Sequence, residues 1–129
     1  MIQVYTDGAC KGNPGPGGWA AIVIDEAGNR QPYFGGPVAH TTNQRMEVTA
    51  AIEGLEHTPA GSEIALFSDS LYVVNTMMQG WKRRANHDLW ARLDRLVMKR
   101  KVRFEWVKGH NGHPIQEAVD RLASKAADL

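Results

Sequence analysis

The sequence contains a single cysteine, Cys10, among its 129 residues, so no intrachain disulfide can form. A zinc site built from several cysteines is excluded by the same count. No apolar run approaches the roughly 18 residues that a membrane span requires. The N-terminus enters a strand pattern at once, without the basic and apolar regions of a leader peptide. We therefore expect a protein of the reducing cytoplasm that is not embedded in a membrane.

Strong net charge is also missing, since the chain carries only +1, but the charge is unevenly distributed. Residues 1–80 hold 3 basic and 8 acidic side chains, whereas residues 81–103 hold 9 basic and 2 acidic ones. A solvated helix face is the simpler explanation of this basic block taken alone. The alternative is a polyanionic partner.

The composition is that of an ordinary globular protein, with 43% apolar and 22% charged residues. A chain of this length fits one domain, which we place at residues 1–129, and we expect it to be a monomer. Hydrophobic periodicity predicts three strands, a helix, a strand, two helices, a strand and a last helix. The strands are predicted at residues 1–6, at 18–25, around "RQPYFGGPV", at "SEIALFSD" and at "VRFEWVKG". This order predicts an α/β layered domain with a mixed sheet.

The glycine-rich stretch "GNPGPGG" lies between the first two predicted strands. It lacks the Gly-Lys-Ser/Thr ending of a nucleotide-binding P-loop and leads into a strand. A tight turn is the interpretation that it favours. Similarly, His110 and His113 form an H-x-x-H pair without an evident third zinc ligand, and His113 before Pro114 is interpreted as a helix cap.

Four carboxylates occupy positions where an acid is unexpected. Asp7 and Asp69 each end a largely apolar predicted strand, and neighbouring parallel strands would bring them to the same edge of the sheet. Glu47 lies at helical spacing from small residues that would face the sheet, and Asp120 borders the apolar stripe of the last helix. A turn or a helix cap is the alternative explanation for Asp7 and Asp69, but a buried Glu47 cannot be explained as a cap.

Convergence of these acids would carry a large electrostatic cost. Two carboxylates about 4 Å apart repel by roughly 4 kcal/mol at an effective dielectric of 20, so a cluster must protonate, pair or bind cations. Oxygen ligands alone favour Mg²⁺ or Mn²⁺, and two such ions suit phosphodiester hydrolysis. The pattern therefore predicts a two-cation hydrolytic site.

Taken together, several motifs make the sequence resemble bacterial-type type 1 ribonuclease H over nearly the whole chain. The motifs are "YTDGACKGNPGPGGW", "TTNQRMEVTAAIEGL", "FSDSLYV", "DLWARLD", "EWVKGHNGHP" and "EAVDRLA". The resemblance implies a ribonuclease H-like fold, with a five-stranded mixed sheet of three antiparallel and two parallel strands flanked by helices. It also implies Mg²⁺-dependent cleavage of the RNA strand of RNA/DNA hybrids, leaving 3′-hydroxyl and 5′-phosphate ends.

The resemblance assigns roles to individual positions of this chain. It identifies Asp7, Glu47, Asp69 and Asp120 as the acidic tetrad, the same four residues that the sequence pattern singles out, with His110 assisting proton movement or product departure. Asn13, Asn43 and Gln44 would lie at the minor-groove face of the RNA strand, where the 2′-hydroxyl separates RNA from DNA. Thr42 and Asn86 resemble a pocket for a phosphate of the DNA strand.

The chain also departs from the typical bacterial pattern. Only "WKRRAN" stands where a longer stretch with an extra helix and a basic loop is usual, so the basic protrusion is predicted to be absent or vestigial. Trp81, Lys82, Arg83 and Arg84 are candidate substrate contacts, and Lys99, Arg100 and Lys101 could compensate further. His40 stands where an arginine is common beside the phosphate pocket, and Gln116 replaces a frequent asparagine.

Two other classes of function stay open at this point. A hybrid-binding module that no longer cuts would typically have lost an acid of the tetrad, and none is lost here. A DNA-cutting integrase or transposase relative would usually carry additional DNA-binding domains, for which 129 residues are too few. Turnover of hybrid and activity on duplex DNA distinguish the three.

Overall fold

The computed structural model describes residues 1–109 and 112–129. Its elements follow the predicted order of strands and helices. They are β1 (Ile2–Cys10), β2 (Gly15–Ile24), β3 (Arg30–Thr41), α1 (Asn43–Glu56), β4 (Glu63–Ser68), α2 (Leu71–Gln79), α3 (His87–Met98), β5 (Lys101–Trp106) and α4 (Pro114–Asp128). Among the described residues, no helix is long and apolar enough to cross a membrane.

The five strands form one mixed sheet in the order β3-β2-β1-β4-β5. The first three strands are antiparallel neighbours, while β4 runs parallel to both β1 and β5. The fold class predicted from the sequence is confirmed. Because β1 and β4 are parallel neighbours, their carboxyl ends lie at the same edge of the sheet, which is called the upper edge below.

The core has two layers, one on each face of the sheet. On one face, α1, α2 and α3 bury aliphatic and aromatic side chains such as Ile52, Leu66 and Trp90. On the other face, α4 packs Val119 and Ala123 against Tyr5 and Ile22. The sheet is therefore covered on both sides, which explains why β1 and β4 are largely apolar.

Three strands are longer than predicted, and one of them is β3, which continues past Val38 to Thr41. β1 continues past Asp7 to Cys10, because Gly8, Ala9 and Cys10 pair with residues 17–19 of β2. The glycine-rich stretch does contain the predicted turn, closed by a hydrogen bond from the Lys11 N–H to the Pro16 carbonyl at 2.8 Å. β2 nevertheless begins within that stretch, at Gly15.

Helices α1 and α3 lie side by side and point in the same direction. Arg45, in the first turn of α1, bonds Asp88 at the start of α3. At the other end, Arg100 donates to the Thr58 carbonyl just after α1. Both helices therefore begin near the upper edge of the sheet and end near the lower one.

The fold divides the basic block of the sequence. Lys101 pairs with Glu63 at the start of β4, six residues before Asp69, which is about 20 Å along a strand. Arg100 is also occupied by contacts with Thr58 and the Leu96 carbonyl. Residues 99–101 thus lie at the lower edge, about the length of strand β4 away from Asp69.

The large apolar side chains are only partly where the sequence suggests. Trp90 is 1% exposed and belongs to the core, and Met46 is also buried. The apolar side chains of Met78 and Met98 are instead 51% and 84% exposed. Both lie near helix C-termini, Met78 in the last turn of α2 and Met98 at the end of α3.

Candidate active site

Asp7 and Asp69 lie side by side at the upper edge. Thr6 and Ser68 are direct partners in the parallel pairing of β1 and β4, so the two acids are the next residues along each strand. Neither acid caps a helix: Asp7 lies inside β1, and the cap of α2 is Ser70, whose side chain accepts from the Val73 N–H. The helix-cap part of the alternative explanation is therefore wrong for both acids.

Glu47 reaches this edge from α1 through a close contact with Gly8. The Gly8 N–H donates to Glu47 Oε1 at 2.8 Å. A Cβ atom at position 8 would lie 2.5 Å from the Glu47 nitrogen and 2.5 Å from the Met46 carbonyl carbon. Only glycine allows the helix to approach the strand this closely, and the approach buries Glu47 to 6% exposure.

The three carboxylates converge. Asp7, Glu47 and Asp69 each offer an oxygen within 4.8 Å of the others. Asp120, half-buried on α4, joins them through a hydrogen bond between its side chain and that of Asp7. The structure thus brings together the four acids that the sequence pattern singled out.

Burial and crowding perturb the protonation of the cluster. The pKa of Asp7 is raised to about 9, first by burial, then by the negative charge of Asp69 and by Asp120, while a hydrogen bond from Glu47 acts in the opposite direction. The pKa of Glu47 is raised well above its ordinary value, again by burial first and then by Asp7 and Asp69. The metal-free cluster therefore holds protons at neutral pH.

The donor set fits divalent cations. All four side chains offer carboxylate oxygens, the ligands that Mg²⁺ and Mn²⁺ prefer. Within the described part of the chain, no Lys, Arg or His forms an ion pair with Asp7, Glu47 or Asp69. Bound metal ions would supply the positive charge that these buried acids otherwise lack.

Next to the cluster, Thr42 and Asn86 are linked through Arg45. Thr42 caps α1 by accepting from the Arg45 N–H, and the Arg45 guanidinium donates to Asn86 Oδ1 at 3.1 Å and to both oxygens of Asp88. Asn86 occupies the N-cap position of α3, but its side chain makes no capping bond and instead donates to the Tyr72 hydroxyl. The polar residues Thr42, Arg45 and Asn86 form one group.

Arg45 was not predicted as a site residue from the sequence. The sequence suggested an arginine beside Thr42 and Asn86 only at position 40, and this position holds His40, which is exposed. Position 45 lies one turn after the cap residue Thr42, which is the signal that could have identified it.

The amides predicted to meet the RNA strand also lie together. Asn13, in the turn before β2, accepts a hydrogen bond from the Asn43 N–H at 2.8 Å. Asn43 and Gln44 begin α1 and are exposed, as is Asn13. These side chains form an accessible polar surface near the start of α1, where Asn43 and Gln44 precede Glu47 by four and three residues.

The remaining predicted site residues differ in their surroundings. Trp81, Lys82 and Arg84 are exposed, whereas Arg83 is half-buried and forms an ion pair with Asp94. His110 lies outside the described residues, so its predicted role stays a prediction. His113 caps α4 as expected, through its Nδ1 atom and the Gln116 N–H.

Gln116 helps to hold α4 against β1. Its side chain is 2% exposed, and its Nε2 donates to the Thr6 carbonyl at 3.1 Å. Because Gln116 lies one turn before Asp120, this bond fixes the part of α4 that carries the fourth acid next to Asp7.

Comparison with known proteins agrees with this geometry. The RNase H family model matches residues 1–128. Ribonuclease H of Erythrobacter litoralis is 45% identical over 141 aligned positions, which cover 99% of this chain and 96% of the relative. Ribonuclease H of Pseudomonas savastanoi is 45% identical over 140 positions, covering 98% of this chain and 93% of the relative.

Two solved structures are similar along their whole length. The N-terminal RNase H domain of a Mycobacterium tuberculosis protein has a TM-score of 0.85 at 27% identity, covering 98% of both chains. LC11-RNase H1, solved in complex with an RNA/DNA hybrid, has a TM-score of 0.84 at 26% identity, covering 99% of this chain and 97% of its own.

Proposed function

Since the chain belongs to the RNase H family, we propose that it hydrolyses the RNA strand of RNA/DNA hybrids at the acidic cluster. The observation that supports this most directly is the convergence of Asp7, Glu47 and Asp69 within 4.8 Å, without a cationic side chain paired to them among the described residues. The products are 3′-hydroxyl and 5′-phosphate ends.

The tetrad of Asp7, Glu47, Asp69 and Asp120 would hold two divalent cations, with Mg²⁺ as the physiological ion and Mn²⁺ as a substitute. Bound cations supply the positive charge that activates an attacking water and stabilises the departing oxygen. The raised pKa of Asp7 and of Glu47 means that these carboxyls release protons as cations bind. His110 is proposed to assist proton movement beside them.

Substrate binding uses the groups next to the tetrad. The exposed side chains of Asn13, Asn43 and Gln44 are suited to the RNA minor groove, because short amides can both donate to and accept from a 2′-hydroxyl. The neighbouring group of Thr42, Arg45 and Asn86 supplies donors for a phosphate of the DNA strand. A group of exposed amides and a separate group that contains a guanidinium fit the two different strands of a hybrid.

The short connection between α2 and α3, which contains "WKRRAN", is compatible with this proposal. The alignment with the Erythrobacter enzyme has 141 positions, so at least 12 of them have no residue in this chain, which supports a missing protrusion. LC11-RNase H1 aligns over nearly all of its own chain with this one and was solved bound to an RNA/DNA hybrid. A chain of this size therefore suffices for hybrid binding in that protein.

We further propose that the protein acts as a monomer in the cytoplasm. The tetrad is supplied entirely by one chain, so catalysis does not need a second copy. Cys10 is the sole cysteine and is a free thiol in the structure. Light scattering of the purified protein should give the mass of one chain, 14.3 kDa.

The test is cleavage of a hybrid labelled separately on each strand, in Mg²⁺ and in Mn²⁺, with Asp7→Asn as the control. Cleavage of only the RNA strand, lost in Asp7→Asn, is expected. Cleavage of the DNA strand, or full activity of Asp7→Asn in Mg²⁺, would refute the proposal. Tight binding with no turnover in either metal would instead indicate a binding module.

A further inference from the structure

The segment between α2 and α3, residues 80–86 and called the linker below, is held mainly by a side chain. Its backbone is bonded at both ends: the Trp81 N–H donates to the Asn75 carbonyl, and the Asn86 carbonyl accepts from two residues of α3. Within the described part of the chain, no backbone–backbone hydrogen bond involves residues 82–85. A loop of this kind is ordered only if side-chain contacts hold it.

Arg83 provides those contacts. Its guanidinium donates to both carboxylate oxygens of Asp94 on α3, with Nη2 to Oδ1 at 3.0 Å. The same group lies 5.3 Å from the centre of the buried Trp90 ring and 3.6 Å from the Met77 sulfur. A two-pronged ion pair combined with packing on an aromatic ring fixes both the position and the plane of the guanidinium.

The neighbouring side chains point to solvent instead. Trp81 is 49% exposed, and Lys82 and Arg84 are exposed on either side of Arg83. Neither Lys82 nor Arg84 forms an ion pair with any described residue. The linker thus shows one indole and two uncompensated positive charges, the combination that binds a nucleic-acid backbone and its bases.

The linker also ends beside the proposed site. Asn86, its last residue, accepts from Arg45, which lies two residues before Glu47 on α1. A duplex whose RNA strand reaches the acidic cluster can therefore extend over this surface.

We propose that Arg83 and Asp94 are positioning residues, whose ion pair holds the linker in one conformation before substrate arrives. The held linker presents Trp81, Lys82 and Arg84 as a preformed contact surface for the backbone of the hybrid. This inference rests on the proposed function, and it explains how a chain without a basic protrusion grips its substrate. In this arrangement Arg83 itself does not contact the hybrid, although the sequence suggested it as a candidate substrate contact.

Neutralising Asp94 distinguishes this arrangement from simple charge attraction. If the linker binds only through its charge, Asp94→Asn frees Arg83 and adds one positive charge, so the KM for hybrid should fall. If Asp94 positions the linker, the same variant should raise KM roughly three- to tenfold, because one or two long side chains must then be ordered on binding. The kcat at saturating hybrid should be unchanged, since the acidic cluster is intact.

A matched control is available in the ion pair between α1 and α3. Glu56→Gln, at the end of α1, also removes an acid, and its partner Arg92 lies on α3 at 3.5 Å, with a similar exposure of the acid. This variant makes the same change in net charge but does not touch the linker, so its KM should be that of the wild type. A KM for Asp94→Asn that is lowered, or equal to that of Glu56→Gln, would overturn the inference.

Two further measurements guard against a trivial loss of folding. Arg83→Lys keeps the charge but loses the two-pronged bond and the ring contact, so it should raise KM like Asp94→Asn, with a thermal midpoint that confirms folding. In a double-mutant cycle, Lys82→Ala should weaken hybrid binding less in the Asp94→Asn background than in the wild type. Equal effects would contradict the inference.

The outcomes separate this inference from the proposed function. Failure of the wild type to cut hybrid would refute the proposed function. Cleavage with an unchanged KM in Asp94→Asn and Arg83→Lys would refute only the role of the ion pair.

Discussion

The backbone of Gly8 and the carboxylate of Glu47 are in direct contact, with the N–H of the strand donating to the side chain of the helix at 2.8 Å. This contact sets how closely α1 approaches β1. A Cβ at position 8 would lie 2.5 Å from backbone atoms of α1. The short distance between Glu47 and Asp7 therefore requires glycine at position 8.

Gly8→Ala should therefore disturb both stability and activity. Moving backbone against backbone in a packed interior costs about 1–3 kcal/mol, and the shift would carry Glu47 away from Asp7. We expect a lower urea midpoint with unchanged m-value and a reduced kcat. Wild-type activity in Gly8→Ala would mean that α1 can move without displacing Glu47.

Asp7→Asn should have opposite effects on activity and on stability. Loss of a ligand in the middle of a cooperative cluster is expected to reduce kcat by several orders of magnitude. Without metal at neutral pH, however, the variant should melt at a higher temperature than the wild type, because a neutral amide does not have to take up a proton on folding, as the buried Asp7 carboxyl does. Calorimetry in EDTA measures the second effect, and a lower midpoint for Asp7→Asn would contradict it.

The stability of the metal-free protein should fall as the pH rises from about 4 to about 9. The pKa of Asp7 is 3.8 in the absence of the fold and about 9 within it, so across this interval the folded state holds a proton that the unfolded state has lost. One such proton changes the free energy of unfolding by about 1.4 kcal/mol per pH unit. Below pH 4 both states are protonated, and the contribution is present in full.

Mg²⁺ should remove much of this pH dependence, because cations replace the protons of the cluster. The midpoint gained on adding Mg²⁺ should consequently increase with pH. Thermal melts in EDTA and in Mg²⁺ across the interval test this, and comparison with Asp7→Asn cancels the titration of groups outside the cluster. A gain that is independent of pH would show that metal does not displace these protons.

Arg45→Met should weaken hybrid binding, because Arg45 connects Thr42 and Asn86 in the proposed phosphate pocket. The loss of one phosphate contact should reduce the slope of log K against log salt by nearly one unit. Lys99→Met removes the same charge at the lower edge of the molecule and serves as the control. Equal slopes for the two variants would mean that the phosphate is held elsewhere.

Much of the fold could be predicted from the sequence, because strand and helix periods are strong in the buried elements. The four acids could be recognised for a similar reason. An acid such as Glu47 on the apolar face of a helix would be unstable alone, and this indicates that it belongs to a functional cluster. Arg45 and Asp94 could not, because a surface arginine or aspartate has the same local pattern whether it faces water or a partner distant in sequence. Their roles depend on the side-by-side arrangement of α1 and α3 and on the path of the linker, which tertiary packing determines.

The edge strand β3 affects how readily molecules of this protein associate with one another. It is an outer strand of 12 residues, most of them accessible, and such a border can recruit the border of another molecule into a continuous intermolecular sheet. Pro32 and Pro37 interrupt its row of amide donors, and the opposite border begins with Lys101. Pro32, Pro37 and Lys101 therefore disfavour edge-to-edge pairing between molecules at both borders of the sheet, even at high protein concentration.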